Sequence, residues 1–163
     1  MVSRIENFPT REYLARVEAV RIRMTQQGLD WLIVTDPSNM AWLSGYDGWS
    51  FYTHQAVLLS HEGEPIWWGR GMDARGALRT VWMSDDAVIG YDDNYVQNPE
   101  KHPHETLADL LRQRGGGTAR IGVELDNYYY SAAAHRALGA GLPDAALNDA
   151  TGLVNWQRAV KSP

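Results

Sequence analysis

The sequence contains no cysteine, which excludes disulfide bonds, thiolate nucleophiles and cysteine-based zinc sites. It also lacks any apolar run approaching the roughly 20 residues that span a bilayer. The first residues, Met-Val-Ser-Arg-Ile-Glu-Asn-Phe-Pro, do not include the apolar stretch of a secretory signal. These features predict a soluble, cytoplasmic protein with no membrane partner.

Runs of lysine and arginine are missing as well. The net charge is -5 at pH 7, and the basic residues are scattered along the chain. Binding to a nucleic-acid backbone needs clustered cations, so we do not expect a nucleic-acid partner. What the chain does have is 163 residues with 44% hydrophobic content, which is enough for one globular domain with its own core.

Short apolar segments alternate with amphipathic ones along the chain. The apolar segments predict strands at residues 31–35, 56–60, 65–68, 87–90 and 120–124, with a shorter last strand at 145–147. A glycine-containing turn at 61–64 predicts an antiparallel hairpin between the second and third strands. Because the other strands are separated by helical segments, we expect an α/β fold with three α/β/α layers and a mixed sheet of five to six strands.

Four helices are predicted from their periodicity and end signals. The first runs from a cap at Thr10 to a stop at Gly28. The second covers 72–83 and places Asp73 on its solvated face. A third covers 106–111 after a polar start, and an alanine-rich fourth is capped by Asp126 or Asn127 and runs to 138.

Residues 36–55 form the most unusual stretch. Pro37 ends the first strand, because proline has no backbone donor and restricts the residue before it. Five bulky rings then stand among small and polar residues rather than among aliphatic ones: Trp42, Tyr46, Trp49, Phe51 and Tyr52. We expect a bent loop that presents these rings to a partner, and the alternative is interior packing, above all for Trp42.

Two groups of possible metal ligands were weighed. Asp92, Asp93 and Asn94 lack the spacing and the final glutamate of a calcium loop. His102 and His104 have no third ligand at a recognisable spacing, so a polar helix start is favoured there. The sequence therefore predicts no metal site and no cofactor site. The glycines at 115–117 also fail as a phosphate loop, because no Lys-Ser/Thr follows them.

Residues 38–46, Ser-Asn-Met-Ala-Trp-Leu-Ser-Gly-Tyr, resemble the N-x-x-Y-L-T-G signature in the N-terminal domain of creatinases, prolidases and Xaa-Pro aminopeptidases. The segments 52–55 and 67–71 are most similar to the ectoine-hydrolase branch of that family. The resemblance implies a ribonuclease-H-like fold in a non-catalytic domain. It further implies a homodimer in which this domain caps the partner subunit's active site and supports dimerisation. The parent would be a metal-dependent C–N hydrolase acting on a small molecule.

Two other functions stay open. The parent is alternatively an Xaa-Pro dipeptidase or aminopeptidase. From a different class, the chain is a stand-alone binding module that uses its aromatic stretch, since exposed aromatic patches usually mark binding surfaces.

The last residues are similar to the family's junction, an R-x-x-K-S pattern at the start of the catalytic domain. Here these residues are Arg158, Lys161 and Ser162. We therefore expect an N-terminal domain at 1–157 and the start of a linker or helix at 158–163, in a piece of a longer protein. The resemblance places the divalent metal ions and all catalytic residues in the domain that follows, so this chain alone is expected to be inactive.

The resemblance also suggests which residues contact substrate in the neighbouring subunit: Trp49, Phe51, Tyr52, Thr53 and His54. The creatinase pattern has a Phe and an Arg here, and by position they correspond to Phe51 and Thr53. Without that guanidinium, bidentate binding of a substrate carboxylate is lost, which argues against creatine. His54 or a catalytic-domain residue would supply the polar contact, while Trp49 or Phe51 would pack on a cyclic amidinium.

Overall fold

The computed structural model describes residues 4–161, which fold around one mixed sheet of strand order β4-β3-β2-β1-β5-β6. The strands are β1 (Trp31–Val34), β2 (Ala56–Ser60), β3 (Ile66–Arg70), β4 (Val88–Tyr91), β5 (Arg120–Val123) and β6 (Ala146–Asp149). β2 pairs antiparallel with both β1 and β3, and the other pairings are parallel. The predicted hairpin and the single mixed sheet are confirmed.

Helices cover both faces of this sheet. They are α1 (Thr10–Gln27), α2 (Pro37–Ser44), α3 (Gly71–Thr80), α4 (Pro103–Gln113), α5 (Ala132–Gly141) and α6 (Leu153–Ala159). Consecutive side chains of a strand point to opposite faces. Trp67 is accordingly buried in the core beneath α1, α2 and α6, whereas Trp68 is buried in the core beneath α4 and α5. The three-layer α/β/α architecture is confirmed.

The chain between β1 and β2 begins with a helix that the sequence reasoning missed. The carboxylate of Asp36 accepts the backbone N–H of Asn39 at 2.9 Å, and Pro37 occupies the first helical position. An acidic cap followed by proline is a helix-start signal, because the cap satisfies a free amide and proline has none to satisfy. Reading Pro37 as a strand end was right, but reading the following residues as a loop was wrong.

Two helix starts also differ from the prediction. Thr10 is the first residue of α1 and Pro9 precedes it, whereas α1 does end at Gly28, which has a φ of 64°. α5 is capped by Ser131, whose Oγ accepts the N–H of Ala134. Asn127, one of the two predicted caps, instead bonds the N–H of Tyr129 within a local turn.

The C-terminal segment packs back onto α2. Helix α6 runs through the predicted domain boundary at 157/158, and Arg158 donates from Nη1 to Oδ1 of Asn39 at 2.7 Å. The predicted role of Ser162 as part of a junction lies outside the described residues. The boundary and the expected linker stay predictions. Within residues 4–161, none of the helices combines the length and the apolar character needed to cross a membrane.

Candidate functional site

Three aromatic side chains stand out from the surface between α2 and β2. Trp49, Phe51 and Tyr52 have exposed fractions of 60%, 77% and 49%, and we call these three residues the aromatic patch. Their rings contact one another, with centroid distances of 5.9 Å from Trp49 to Phe51 and 5.5 Å from Phe51 to Tyr52. A contiguous exposed patch of this kind marks an interaction surface.

The residues that flank the aromatic patch are fixed in the core. Tyr46 is buried against Trp67, and its hydroxyl accepts a hydrogen bond from Nε2 of Gln55 at 3.0 Å. The expectation that Tyr46 is presented to a partner was therefore wrong. Trp42 is half-buried and packs against the hydrophobic core, which agrees with the alternative of interior packing for that residue. The backbone that carries the aromatic patch is thus anchored at Tyr46 before the patch and at Gln55 after it.

Thr53 and His54 lie beneath the patch rather than in it. Thr53 is buried, and its hydroxyl donates to a carboxylate oxygen of Asp73 at 3.3 Å. Gln55 donates to the same oxygen at 2.9 Å. Asp73 was expected on the solvated face of α3, but it is half-buried, and its carboxylate accepts hydrogen bonds from Thr53 and Gln55. Three of the five predicted site residues thus form the surface, and the other two support it.

A guanidinium lies beside the patch, although sequence reasoning found none at position 53. Arg70, at the end of β3, donates from Nε and Nη2 to the two carboxylate oxygens of Asp93 at 2.8 and 3.0 Å. Its Nη1 is 3.4 Å from the hydroxyl of Tyr52. This ion pair raises the pKa of Arg70 and lowers the pKa of Asp93, so both groups are charged at neutral pH. The sequence contained a signal for Arg70, because this residue lies in the segment 67–71 that resembles the ectoine-hydrolase branch.

Three histidines meet directly under this surface. One ring nitrogen from each of His54, His102 and His104 can be chosen so that all three lie within 4.8 Å of one another. His102 and His104 have no third ligand at a recognisable spacing in the sequence, but the fold brings His54, which precedes β2, close to both of them. No local spacing signals such a group. The expected polar helix start is confirmed, since His102 caps α4.

The other group of possible ligands, Asp92, Asp93 and Asn94, does not form a cluster. Asp93 is paired with Arg70, and Asp92 accepts the N–H of Asn94 at 2.8 Å to cap a single 3-10 turn. Local backbone donors and one cation thus account for these carboxylates.

A buried carboxylate that the sequence analysis overlooked joins β1, β5 and α2. Oε2 of Glu124 accepts the backbone N–H groups of Thr35 and Asp36 at 2.6 and 2.8 Å, and Oε1 accepts Nδ2 of Asn39 at 2.6 Å. Burial raises the pKa of Glu124, and these hydrogen bonds to the ionised form oppose that rise. Asn39 is the asparagine of the N-x-x-Y-L-T-G-like motif, so the motif residue has a structural task here.

Comparison with known proteins gives a consistent family. Residues 16–160 match the family described as Creatinase/Prolidase N-terminal domain. An ectoine hydrolase from Halomonas elongata is 55% identical over 157 residues, covering 96% of this chain and 39% of that protein. An uncharacterized hydrolase/peptidase from Sinorhizobium fredii is 42% identical over 160 residues, covering 98% of this chain and 41% of that protein. The chain thus spans about two-fifths of the length of these relatives.

Solved structures give the same fold. A proline dipeptidase from Streptococcus pneumoniae superposes with a TM-score of 0.70 at 19% identity, covering 89% of this chain and 98% of that chain. A Xaa-Pro dipeptidase from Bacillus anthracis superposes with a TM-score of 0.72 at 15% identity, covering 92% of this chain and 37% of that chain. At such identities the likeness establishes the architecture alone.

Proposed function

The chain belongs to the Creatinase/Prolidase N-terminal domain family, and we propose that it is the non-catalytic N-terminal domain of a hydrolase that cleaves a C–N bond. The 55% identity to an ectoine hydrolase across almost the whole chain supports this parent activity. The reaction is assigned to residues outside this chain, where the family resemblance also implies divalent metal ions. In the parent, this domain covers the active site of a partner subunit and helps to hold a homodimer together.

The observation that carries this role is the aromatic patch. Trp49 and Phe51 expose most of their surface to water, although their rings contact each other and Trp49 also meets Tyr129 edge-on. The segment that carries them is anchored on both sides, by Tyr46 and by Gln55. A second subunit that buries the patch gains the hydrophobic contact, and the anchors limit the number of residues that must be ordered.

The substrate that fits this surface is a cyclic amidine carrying a carboxylate, the chemistry of ectoine. A delocalised amidinium packs on the face of an aromatic ring, and such a cation-π contact contributes about 0.5–2 kcal/mol depending on desolvation. The carboxylate needs a cation, and Arg70 offers one beside Tyr52 through Nη1, since its Nε and Nη2 already bond the two oxygens of Asp93. Arg70 thus takes the part that sequence reasoning gave to His54 or to a catalytic-domain residue, and His54 itself is half-buried. Hydrolysis then adds water to the amidine carbon and breaks one of its two C–N ring bonds.

A second surface of this chain, beside its C-terminal segment, is a candidate docking surface for the catalytic domain. An open groove of about 870 Å³ runs between α1, α2 and the C-terminal segment, and its lining includes Trp42, Arg158 and Lys161. Trp156 on α6 is 80% exposed nearby. We assign this groove and Trp156 to contact with the remainder of the parent protein, which continues from the same segment.

The complete gene product that contains this chain tests the parent activity. Ectoine and an Xaa-Pro dipeptide are offered in parallel, with and without a metal chelator, and the isolated chain serves as the inactive reference. We expect ring opening of ectoine by the complete protein alone. Cleavage of the dipeptide instead would replace the substrate by the Xaa-Pro class. A gene product that ends with this chain and turns over neither substrate would favour a stand-alone binding module.

Mixed dimers test whether the patch acts across the subunit interface. One subunit carries Trp49→Ala and Phe51→Ala, and the other has an inactivated catalytic domain. If the patch acts in trans, the subunit with an intact catalytic domain receives an intact patch from its partner, and activity returns on mixing. If the patch acts within its own subunit, mixing restores nothing. Molar mass by light scattering verifies that both variants still form dimers.

The role of Arg70 is tested by Arg70→Gln and Arg70→Lys in the complete protein. Loss of the guanidinium should raise KM for a substrate with a carboxylate more than for its carboxamide analogue, and lysine should restore part of the difference as a point charge. Arg75→Gln is the matched control, since Arg75 is exposed on α3. An equal effect of Arg70→Gln on both substrates would remove Arg70 from the binding site.

A further inference from the structure

The three histidines under the aromatic patch come from two separate parts of the fold. His54 leads into β2, while His102 and His104 stand at the start of α4. Their ring centroids are 4.7 Å apart for His54 and His102, 4.9 Å for His54 and His104, and 5.3 Å for His102 and His104. Three imidazoles at these distances are a close group of nitrogen donors.

His104 is the member whose environment needs explaining. Its side chain is fully buried, and neither of its ring nitrogens has a hydrogen-bond partner among residues 4–161. A neutral imidazole carries one donor and one acceptor, and leaving both unpaired in the interior is costly. The rings of Trp68 and Tyr130 pack against it, but the indole N–H of Trp68 donates to Thr106 and the hydroxyl of Tyr130 bonds His135. The rings of His54 and His102 also contact it.

A histidine ligates a metal through the ring nitrogen that carries no hydrogen, and each neutral imidazole offers one such nitrogen.

We propose that His54, His102 and His104 bind one divalent first-row transition metal ion such as Zn²⁺, with a fourth position left for water or another ligand. Imidazole nitrogens favour Zn²⁺, Cu²⁺, Ni²⁺ and Co²⁺, whereas Mg²⁺ and Ca²⁺ prefer oxygen ligands. With Zn–N bonds of about 2.0–2.1 Å, the nitrogens of a tetrahedral site lie roughly 3.4 Å apart. The three ring nitrogens now lie within 4.8 Å of one another, so ring movements on the order of 1 Å bring them to the spacing of a tetrahedral site.

Metal binding has a specific consequence for helix α4. Nδ1 of His102 accepts the backbone N–H of His104 at 3.1 Å, and this hydrogen bond caps the helix. A neutral imidazole has one lone-pair nitrogen, so His102 cannot ligate a metal and accept this hydrogen bond at the same time. The metal therefore replaces the amide of His104 as the partner of His102. The second half of the cap, from the N–H of His102 to Glu105 at 3.0 Å, is retained.

The test uses residues 1–163 without a histidine tag, freed of metal by dialysis against a chelator. Isothermal titration with Zn²⁺ is expected to give one equivalent, and Co²⁺ is expected to give the intense visible absorption of a tetrahedral site, which Zn²⁺ then removes. Mg²⁺ is expected to give neither signal.

Variants separate ligation from folding. His102→Asn keeps a capping side chain while removing the imidazole, and His54→Asn removes the second ligand. Each should weaken Zn²⁺ binding by more than the roughly 10–100-fold that loss of a second-shell partner costs. His61→Asn is the matched control, because His61 is exposed and bonds the carbonyl of Leu29 away from the cluster. Circular dichroism confirms that each variant is folded.

Hydrogen exchange at the amide of His104 provides an independent readout. Zn²⁺ should accelerate this exchange in the wild-type chain, since the amide loses its acceptor, and should leave it unchanged in His102→Asn. Absence of stoichiometric Zn²⁺ uptake overturns the proposal. So does unaltered affinity in both His54→Asn and His102→Asn. The proposal does not depend on the parent activity, which these measurements on the isolated chain do not involve.

Discussion

The hydrogen bonds that the Asn39 side chain makes with Glu124, Asn155 and Arg158 give a sharp test of how this fold holds its C-terminal helix. Nδ2 of Asn39 donates to Glu124 and to Oδ1 of Asn155, both at 2.6 Å, while Oδ1 of Asn39 accepts from Arg158 at 2.7 Å. Asn39→Ala removes all three contacts. It leaves one oxygen of a buried carboxylate without its side-chain donor and removes the two hydrogen bonds that join Asn39 to α6, whereas Leu153 and Val154 of α6 stay packed in the core.

The magnitude follows from the kinds of bond that are lost. A hydrogen bond to a charged group contributes about 1.5–3 kcal/mol, and a neutral one about 0.5–1.5 kcal/mol. The bond to Arg158 is partly exposed and is discounted for solvent screening. We expect Asn39→Ala to lower the free energy of unfolding by about 2–4 kcal/mol in total. For a chain of this size each kcal/mol shifts Tm by about 2–4 °C, so Tm should fall by roughly 5–15 °C.

Urea denaturation followed by tryptophan fluorescence measures the free energy, with thermal unfolding as a check. Asn94→Ala is the matched control, because Asn94 is exposed and its side chain makes no hydrogen bond to the part of the chain that the structure describes. A double-mutant cycle with Glu124→Gln should show coupling above about 0.5 kcal/mol. A difference of less than that between Asn39→Ala and its control would refute the role given to this network.

Three further outcomes are expected. Burial lowers the pKa values of His54 and His104 below 6.5, the value in the unfolded chain, so the folded chain should lose stability as the pH falls from 6.5 towards 4. The loss of unfolding free energy should reach about 3 kcal/mol for His54 alone. Denaturation across this pH range should show the loss, and His54→Asn should reduce it. Gly45 and Gly63 have similar positive φ values, 78° and 73°, so Gly45→Ala and Gly63→Ala carry a similar backbone strain. They differ in space, because a Cβ at Gly45 would lie 2.8 Å from the carbonyl oxygen of Thr80, whereas a Cβ at Gly63 would have no atom within 4 Å. Thermal unfolding should therefore show a penalty of about 1–2 kcal/mol at Gly63 and a clearly larger one at Gly45, and equal penalties would contradict the contact. Trp156→Ala should leave the isolated chain within about 0.5 kcal/mol of wild type yet destabilise the complete gene product, as compared by urea denaturation; a loss of stability in the isolated chain would place Trp156 in its own packing.

The elements that the sequence predicted well are those with a strong local signal. The apolar runs at β1, β2 and β3 are buried along almost their whole length, and the turn between β2 and β3 carries a glycine with φ of 73° at position 63. Such segments need no information from distant residues. Helix α2 was missed although its cap and its proline were visible, because its aromatic and polar composition was interpreted as an exposed loop.

The parts of the site that could not be predicted depend on contacts between distant residues. His54 meets His102 because β2 and the start of α4 lie at the same part of the sheet, and no spacing along the chain reports this. Arg70 reaches Tyr52 and Asp93 from the end of β3. The inward orientation of Thr53 depends on Asp73, which the pattern of α3 assigned to solvent. The change from exposed side chains at positions 51 and 52 to a buried one at 53 and a half-buried one at 54 was not visible in a segment without regular structure.

The segment that carries the aromatic patch is anchored to the core on both sides. Its first anchor is Tyr46, buried against Trp67, and its second is the carboxylate of Asp73, which holds Thr53 and Gln55. Gly48 permits this arrangement, since a Cβ there would come within 2.7 Å of the hydroxyl of Tyr46. These anchors fix where the exposed segment begins and ends, so a partner that covers the patch orders only the residues between them. A metal ion bound by His54 would fix the same segment at a third point, one residue beyond Thr53.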